Sequence, residues 1–307
     1  MEQPRICVVG AANLDLISYV ARLPRLGETL HGSRFHMGFG GKGANQAVMA
    51  AKLGARVIMI TKLGRDIFGE NTLKNFQSWG IDTRHVLFTD HAFSGVAPIA
   101  VDPDGHNAII IVTGANDLLT EEEIEAARPA IASAQILVCQ LEIPLIVTMA
   151  AMRIAREQKV PTIFNPAPAQ PDLSSELYSL SDIFCPNESE TELLTGLRVR
   201  NPQEATAAAR VLLQRGTGKV ILTLGENGSL LVTEKESLQV AALPVKAIDS
   251  TGAGDAYVGS LAYFLAAGKP IAEAMRRANH IAAISVQSSG TQSSFPRASE
   301  LPAELLS

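Results

Sequence analysis

The segment Asp249-Ser250-Thr251-Gly252-Ala253-Gly254-Asp255 narrows the choice of fold more than any other stretch of the chain. It follows a strand-like stretch at 244–248 and opens a predicted apolar helix over 254–266. Two glycines at a helix start let backbone N–H groups converge on an anion. A carboxylate beside such an anion hole, here Asp255, suits removal of a proton from an attacking hydroxyl. The alternative interpretation is an ordinary glycine-rich turn with an acidic residue favoured by the helix dipole.

A second glycine-rich segment, Gly38-Phe39-Gly40-Gly41-Lys42-Gly43-Ala44-Asn45-Gln46, precedes an Ala-rich helix predicted over 43–53. Its glycines allow close backbone approach to a small molecule. Lys42 and Asn45 supply hydrogen-bond donors, which suit hydroxyl groups better than an apolar ligand. The alternative is a tight loop with a solvated lysine.

Two weaker polar signals lie further along the chain. Asn187 and Glu190 are three residues apart at a predicted helix start, so both groups lie on one side of the first turn. The same spacing is that of a capping box, and the segment can serve both purposes. The turn at 223–228 follows a predicted strand, and taken alone it is also compatible with a plain hairpin loop.

The rest of the chain alternates short apolar strands with longer helical patterns, which predicts an α/β fold with a doubly wound, mostly parallel sheet flanked by helices. The predicted strands are 5–9, 56–61, 136–140, 161–165, 183–186 and 220–224, followed by an antiparallel pair at 229–233 and 238–241. The predicted helices are 43–53, 68–79, 121–132, 147–158, 188–195, 202–215, 254–266 and 271–286.

Two excursions, at about 16–39 and 94–113, interrupt this alternation with short β-like segments. The second contains Asp102-Pro103-Asp104-Gly105, a good hairpin turn because Pro fixes one φ and Gly accepts a positive one. We expect a single α/β domain over residues 1–307, with both excursions forming one small sheet that stands off it.

Composition excludes several classes of function. A net charge of −5 and the lack of basic runs argue against nucleic-acid and membrane partners. No apolar stretch is long enough to span a bilayer or serve as a signal peptide. Cys7, Cys139 and Cys185 lie among apolar neighbours and lack metal or redox spacing, which indicates buried thiols of a reducing compartment and a cytoplasmic location.

Taken together, these segments resemble the ribokinase family of carbohydrate kinases, which have the PfkB-type fold. The resemblance runs from residue 10 to 296 and is most specific at 39–46, at Phe164-Asn165-Pro166-Ala167-Pro168-Ala169 and at Gly290-Thr291-Gln292-Ser293-Ser294. It implies ATP-dependent phosphorylation of D-ribose at the 5-hydroxyl, giving ribose 5-phosphate. It also implies that the small sheet is a lid over the sugar and joins two subunits into a homodimer.

The resemblance implies a role for each matching residue. The ribose hydroxyls would be held by Asn13, Asp15, Gly41, Lys42, Asn45 and Glu142. Asp255 would be the general base, and the anion hole would come from Gly252, Ala253 and Gly254. ATP would be contacted by Asn187, Thr223, Gly225, Gly228, Gly254 and Asn279. Glu190 would help to organise Mg²⁺, and an activating K⁺ would be framed by Asp249, Thr251, Ser285, Ser288, Gly290 and Ser294.

Three alternatives remain open at this stage. The nearest is a kinase of 2-deoxyribose, which lacks one hydroxyl that Asn13 and Asp15 are suited to recognise. Another pentose or a nucleoside is a second possible substrate. A non-catalytic sugar-binding regulator on the same fold is disfavoured because Gly252, Gly254 and Asp255 are all present.

Overall fold

A large sheet of nine strands forms the centre of the protein, whose computed structural model describes residues 3–306. Its strands, in spatial order, are β13 (Ser237–Val240), β12 (Ser229–Val232), β11 (Val220–Thr223), β10 (Ile183–Phe184), β9 (Thr162–Phe164), β8 (Ile136–Cys139), β1 (Arg5–Val9), β4 (Arg56–Gly64) and β5 (Asp82–Thr89). The strands from β11 to β5 run parallel, and β12 and β13 add an antiparallel edge. The predicted doubly wound sheet is therefore confirmed.

Helices cover both faces of this sheet. They are α1 (Lys42–Lys52), α2 (Ile67–Ser78), α3 (Glu121–Ala126), α4 (Arg128–Ala132), α5 (Leu145–Glu157), α6 (Ser175–Leu180), α7 (Glu188–Thr195), α8 (Pro202–Gln214), α9 (Ala253–Ala266), α10 (Ile271–Ser285) and α11 (Ala303–Leu306). In β1, Ile6 and Val8 pack into the core shared with α1, α9 and α10. Cys7 and Val9 point the other way, into the core shared with α5 and α8. Burial of both faces explains why the parallel strands are continuous apolar runs.

A second sheet is built from the two predicted excursions. Its spatial order is β3 (Gly32–Gly40), β2 (Asn13–Val20), β6 (Gly95–Val101) and β7 (Asn107–Ile109). We call these four strands the small sheet. The β2–β3 and β6–β7 pairs are antiparallel, whereas β2 and β6 pair in parallel. The expected hairpin turn at 102–105 joins β6 to β7.

The structure corrects several local predictions. The helix predicted over 121–132 is interrupted at Ala127, because Pro129 cannot donate the hydrogen bond that would continue the first helix. The strand-like stretch at 244–248 forms no strand. Strand β5 and helix α6 were not predicted. The small sheet also begins earlier than the predicted excursion at about 16–39, since β2 starts at Asn13 and includes Asp15.

All three cysteines are buried and unpaired, as predicted. Within residues 3–306, none of the helices combines the length and the apolar character needed to cross a bilayer.

Candidate active site

Asp255 lies in the first turn of α9 and is only 6% exposed. Gly252 precedes the helix with a φ of 77°, a left-handed conformation that favours glycine. Both carboxylate oxygens of Asp255 accept hydrogen bonds from α1. Asn45 Nδ2 donates to Oδ2 at 2.8 Å, and Gln46 Nε2 donates to Oδ1 at 2.9 Å. The two glycine-rich segments of the sequence therefore meet at this carboxylate.

The start of α9 faces an open pocket. A Cβ placed on Gly254 would meet no atom within 4 Å. The adjoining cavity has a volume of about 160 Å³ and is lined by Lys42, Asn165, Asn187, Glu190, Thr223, Gly252, Gly254 and Asp255, among others. A helix N-terminus directed into a small polar cavity is suited to bind a phosphoryl group.

Three carboxylates surround the Lys42 ammonium group. Burial lowers the pKa of Lys42, but Asp255, Glu142 and Glu190 outweigh that effect, so the pKa is raised overall. Burial also raises the pKa of Glu142, and Lys42 partly opposes this effect. The Lys42 backbone N–H donates to Glu142 Oε2 at 2.7 Å, which fixes the glutamate beside the start of α1.

Asp15 shares this acidic environment. Burial, with smaller contributions from Glu142 and Asp255, raises the pKa of Asp15 to about 7. A Cβ on Gly40 would collide with the Asp15 carboxylate, so the adjacent strand β3 approaches this side chain closely only because residue 40 is glycine.

Backbone packing brings Asn13 to the same place. Gly41 has a φ of 85°, and a Cβ there would lie 2.7 Å from the backbone nitrogen of Asn13. Asn13 Oδ1 accepts a hydrogen bond from Asn116 Nδ2 at 2.8 Å. Asn116 also accepts from the Ala12 N–H at 3.0 Å, so it fixes the entry into β2. The six residues predicted to hold sugar hydroxyls thus lie around Asp255 and the adjoining ends of β2, β3 and α1.

A larger cleft of about 730 Å³ lies on the other side of the α9 N-terminus. Asn279 Nδ2 donates to the Val240 carbonyl at 2.9 Å, which joins α10 to the end of β13 at the cleft wall. All six residues predicted to contact the nucleotide line this cleft: Asn187, Thr223, Gly225, Gly228, Gly254 and Asn279.

Asn187 and Glu190 form a complete capping box at the start of α7. The Glu190 N–H donates to Asn187 Oδ1, and the Asn187 N–H donates to Glu190 Oε2, both at 2.8 Å. Burial raises the pKa of Glu190, whereas the Asn187 N–H and Lys42 oppose the rise. The capping interpretation is therefore confirmed, and the same pair also lines the cavity beside Asp255.

Asp249 connects the two loops predicted to frame K⁺. One of its carboxylate oxygens accepts from the Thr251 N–H, and the other accepts from the Gly290 N–H, both at 2.9 Å. The Ile248 and Asp249 N–H groups donate to the Val286 carbonyl. These bonds bring 249–251 against the end of α10, which carries Ser285, and against the following loop, which carries Ser288, Gly290 and Ser294. The Ser285 and Ser294 hydroxyls donate to carbonyls of their own segments.

Several residues with direct contacts at the site were not assigned roles from the sequence. Gln46 donates to Asp255, also donates to Asn165 Oδ1 at 3.1 Å, and accepts from Gln140 Nε2 at 2.6 Å. Gln292 Nε2 donates to Asn45 Oδ1 at 3.0 Å. The sequence signal that could have identified them was a polar side chain within a glycine-rich or apolar segment. That signal does not reveal their partners, which are about 100 or more positions away along the chain.

Comparison with known proteins gives concordant matches. The model of the pfkB family of carbohydrate kinases matches residues 3–298. A ribokinase of Mus musculus is 45% identical over 308 aligned positions, covering 99% of this chain and 95% of the mouse protein. A deoxyribokinase of Salmonella typhi is 42% identical over 291 positions, covering 95% of each chain. The structure of Arabidopsis thaliana ribokinase complexed with ribose and ATP matches with a TM-score of 0.91 at 30% identity, covering 100% of this chain and 99% of that one.

Proposed function

The chain belongs to the pfkB family of carbohydrate kinases, and on this premise we propose that it phosphorylates D-ribose at the 5-hydroxyl with ATP, giving ribose 5-phosphate. The observation that carries the proposal is the position of Asp255. Its buried carboxylate lies at the N-terminus of α9. On one side of it are the polar side chains of Asn13, Asp15, Lys42 and Glu142, and on the other is the large cleft next to Thr223.

In the proposed reaction, the sugar 5-hydroxyl loses its proton to the Asp255 carboxylate. Its oxygen forms a bond to the γ-phosphorus of ATP, and the bond from that phosphorus to the bridging oxygen breaks, which releases ADP. The backbone of Gly252, Ala253 and Gly254 stabilises the charge on the transferred group, and Lys42 adds a positive charge near it. Such transfer depends mainly on positioning and charge stabilisation.

An Asp255→Asn variant tests this role. The amide has the same shape but cannot accept the proton, so we expect kcat to fall by about 10²–10⁴-fold. Circular dichroism and Tm should show that the variant is folded. Turnover close to that of the wild type would refute the assignment of Asp255 as general base.

The alternative substrate is 2-deoxyribose, and the match to a deoxyribokinase at 42% identity supports keeping it. Ribose is favoured because the buried Asn13 and the half-buried Asp15 offer polar groups for an additional hydroxyl. A substrate that lacks this hydroxyl would react less efficiently, because it would leave these polar groups without a hydrogen-bond partner. Measurement of kcat/KM for both sugars decides the matter, and a higher value for 2-deoxyribose would overturn the ribose assignment.

We further propose Mg²⁺ as a cofactor, organised through Glu190. Carboxylate oxygens are the ligands that Mg²⁺ prefers, and the Glu190 side chain lines the same cavity as Asp255 and Lys42. When bound with the nucleotide, the ion neutralises phosphate charge. Activity lost on chelation with EDTA should return on addition of Mg²⁺, and turnover that persists in EDTA would contradict this role.

An activating K⁺ is proposed between Asp249, Thr251, Ser285, Ser288, Gly290 and Ser294. Asp249 supports the site because it fastens both loops beside the start of α9 and supplies negative charge. Its pKa is lowered because the Gly290 and Thr251 donors outweigh the effect of burial. We expect faster turnover in K⁺ than in Na⁺ buffers, and equal rates would count against the site.

Two further features belong to the proposal. The small sheet serves as a lid and joins two chains into a homodimer, since it carries exposed apolar side chains such as Phe35 (59%) and Ile109 (50%). A cytoplasmic location is supported by the three buried free thiols, which are typical of a reducing compartment.

A further inference from the structure

A chain of three side-chain amides leads away from Asp255. Asn45 Nδ2 donates to Asp255 Oδ2 at 2.8 Å. Gln292 Nε2 donates to Asn45 Oδ1 at 3.0 Å, and Asn75 Nδ2 donates to Gln292 Oε1 at 2.9 Å. We call Asn75, Gln292 and Asn45 the amide relay. Every donor in it points toward the carboxylate.

The inner members of the relay are closed off from solvent. Asn45 is 5% exposed and Gln292 is 6% exposed, whereas Asn75 on α2 is half-buried. Water therefore has little access to replace the inner hydrogen bonds, and an unsatisfied amide there would be costly.

The loop that carries Gln292 is anchored independently. Lys52, at the end of α1, is 8% exposed, and its ammonium group donates to the Gln292 and Phe295 carbonyls at 2.7 Å each. The same ammonium group lies 4.7 Å from the centre of the Trp79 ring. Gln292 is thus held by its backbone while its side chain bridges α1 and α2.

A side-chain amide can turn by 180° and exchange its donor with its acceptor. If Asn45 turned in this way, its oxygen would face the Asp255 carboxylate and repel it. Donation from Gln292 to Asn45 Oδ1 disfavours that orientation, and donation from Asn75 disfavours the corresponding turn of Gln292. The Gln46 amide holds the other carboxylate oxygen in the same manner, since Gln140 donates to its oxygen.

We propose that Gln292 and Asn75 are positioning residues that act on Asp255 in series through Asn45, keeping the carboxylate oriented for proton removal from the sugar. Neither residue makes a hydrogen bond to Asp255 itself. The inference rests on the proposed kinase function and adds the requirement that a contact on α2 controls the rate of that reaction. If the two residues had a purely structural role, their substitution would lower stability, and the effect of Asn75 on kcat would not depend on Gln292.

Two variants interrupt the relay at different points. Gln292→Met has a similar volume but no donor for Asn45. Asn75→Asp keeps the shape but cannot donate to Gln292, so it favours the turned amide. Loss of one oriented hydrogen bond next to a charged group should lower kcat by about tenfold for Gln292→Met. Asn75→Asp should lower it by about three- to tenfold, with the KM for ATP unchanged in both.

The double variant provides the decisive measurement. Residues acting in series give non-additive effects, so Asn75→Asp combined with Gln292→Met should be no slower than Gln292→Met alone. Asn71→Asp is the matched control, because it adds the same charge one turn earlier on α2 and lies outside the relay. It should keep the wild-type kcat. Tm values identify any loss caused by unfolding, and the half-buried Asn75→Asp remains informative where Gln292→Met does not fold.

Several results would overturn the proposal. Wild-type kcat in Asn75→Asp would do so, as would multiplied effects in the double variant or an equal loss in Asn71→Asp. A wild-type protein without sugar kinase activity would instead refute the proposed function, so the two failures are distinguishable.

Discussion

At the scale of single residues, the carboxyl groups of Asp15 and Asp255 lie in one site but have different surroundings. Both Asp255 carboxylate oxygens accept amide hydrogen bonds from α1. Asp15 is half-buried, and this burial, together with the charges of Glu142 and Asp255, raises its pKa to about 7. The charged form of Asp15, the residue proposed to bind sugar, is therefore under electrostatic strain.

This strain gives a pH-dependent prediction for Asp15→Asn. The native state binds the Asp15 proton more tightly than the unfolded chain, whose carboxyl has a pKa of 3.8. The stabilisation is therefore complete below that pH and is lost as pH rises through about 7. At pH 8 the neutral amide avoids the cost of ionisation, so we expect its Tm to exceed that of the wild type by roughly 2–4 °C or more.

The gain should shrink at pH 5, where the native carboxyl is already protonated, and the variant should bind ribose more weakly. Thermal unfolding at both pH values and a ribose titration check these outcomes. The exposed Asp104→Asn serves as the control. An Asp15→Asn variant with no stability gain at pH 8 would mean that the carboxylate is not strained.

At the scale of elements, α9 carries two glycines with opposite surroundings. Gly254 faces the open pocket, where a Cβ would meet nothing within 4 Å. A Cβ on Gly259 would lie 2.6 Å from the Gln46 carbonyl oxygen and 2.8 Å from Met49 Cβ. The same substitution should therefore act on catalysis at one position and on helix packing at the other.

We predict that Gly254→Ala keeps or slightly raises Tm, because alanine restricts the unfolded chain. Its methyl group enters the space proposed for the phosphoryl group, so kcat/KM should fall by about 10²–10³-fold. Gly259→Ala should instead lose about 1–3 kcal/mol of unfolding free energy through overpacking. Denaturant unfolding and steady-state kinetics on both variants separate the effects. Full activity in Gly254→Ala would contradict the anion hole.

Element prediction succeeded where one physical cause dominated. Buried strands such as Ile136–Cys139 are uninterrupted apolar runs, and their spacing predicts the parallel sheet. Strand β5 (Asp82–Thr89) was missed because an edge strand is only partly buried and mixes polar with apolar residues. The 244–248 stretch is apolar apart from Lys246, but it pairs with no neighbouring strand, so the local pattern alone was misleading.

For the site as well, residues whose role depends on local sequence were easier to recognise than residues whose role depends on distant partners. Gly252 and Gly254 were recognisable because glycines at a helix start have a local meaning. Gln46, Gln140 and Gln292 were not, since an amide is an ordinary surface residue until its partner is known. Gln140 and its partner Gln46 are 94 positions apart along the chain, and Gln292 and its partner Asn45 are 247 positions apart.

At the scale of the whole molecule, the small sheet and the two residues directly after β7 carry several exposed apolar side chains. Phe35, Met37, Ile109, Ile110 and Ile111 are each about half or more exposed, between 49% and 66%. Exposed apolar side chains in such number are typical of an interaction surface. In the proposed homodimer, a second copy of the chain would cover this surface through two-fold symmetry, which is the commonest arrangement of homo-oligomers.

If the proposed dimer forms through this surface, we predict that Ile110→Glu yields a monomer, because the contact would then bury a charge without a partner. Sedimentation velocity at several concentrations measures the change. Ile146→Glu, on α5 of the main body and also 51% exposed, is the matched control and should leave the assembly unchanged. A wild-type protein that sediments as a monomer would remove the basis for the dimer.

The junction of the small sheet with the main body also determines how this chain can be recombined with its relatives. Asn13 of β2 pairs directly with Gly40 of β3 and with Gly95 of β6, so the inner rung of the small sheet is part of the proposed sugar pocket. A chimera with crossovers at Val20 and Gly32 exchanges only the outer end of the hairpin. A chimera with crossovers at Asn13 and Gly40 exchanges cover and recognition surface together. We therefore expect only the second chimera to transfer substrate preference together with the proposed lid.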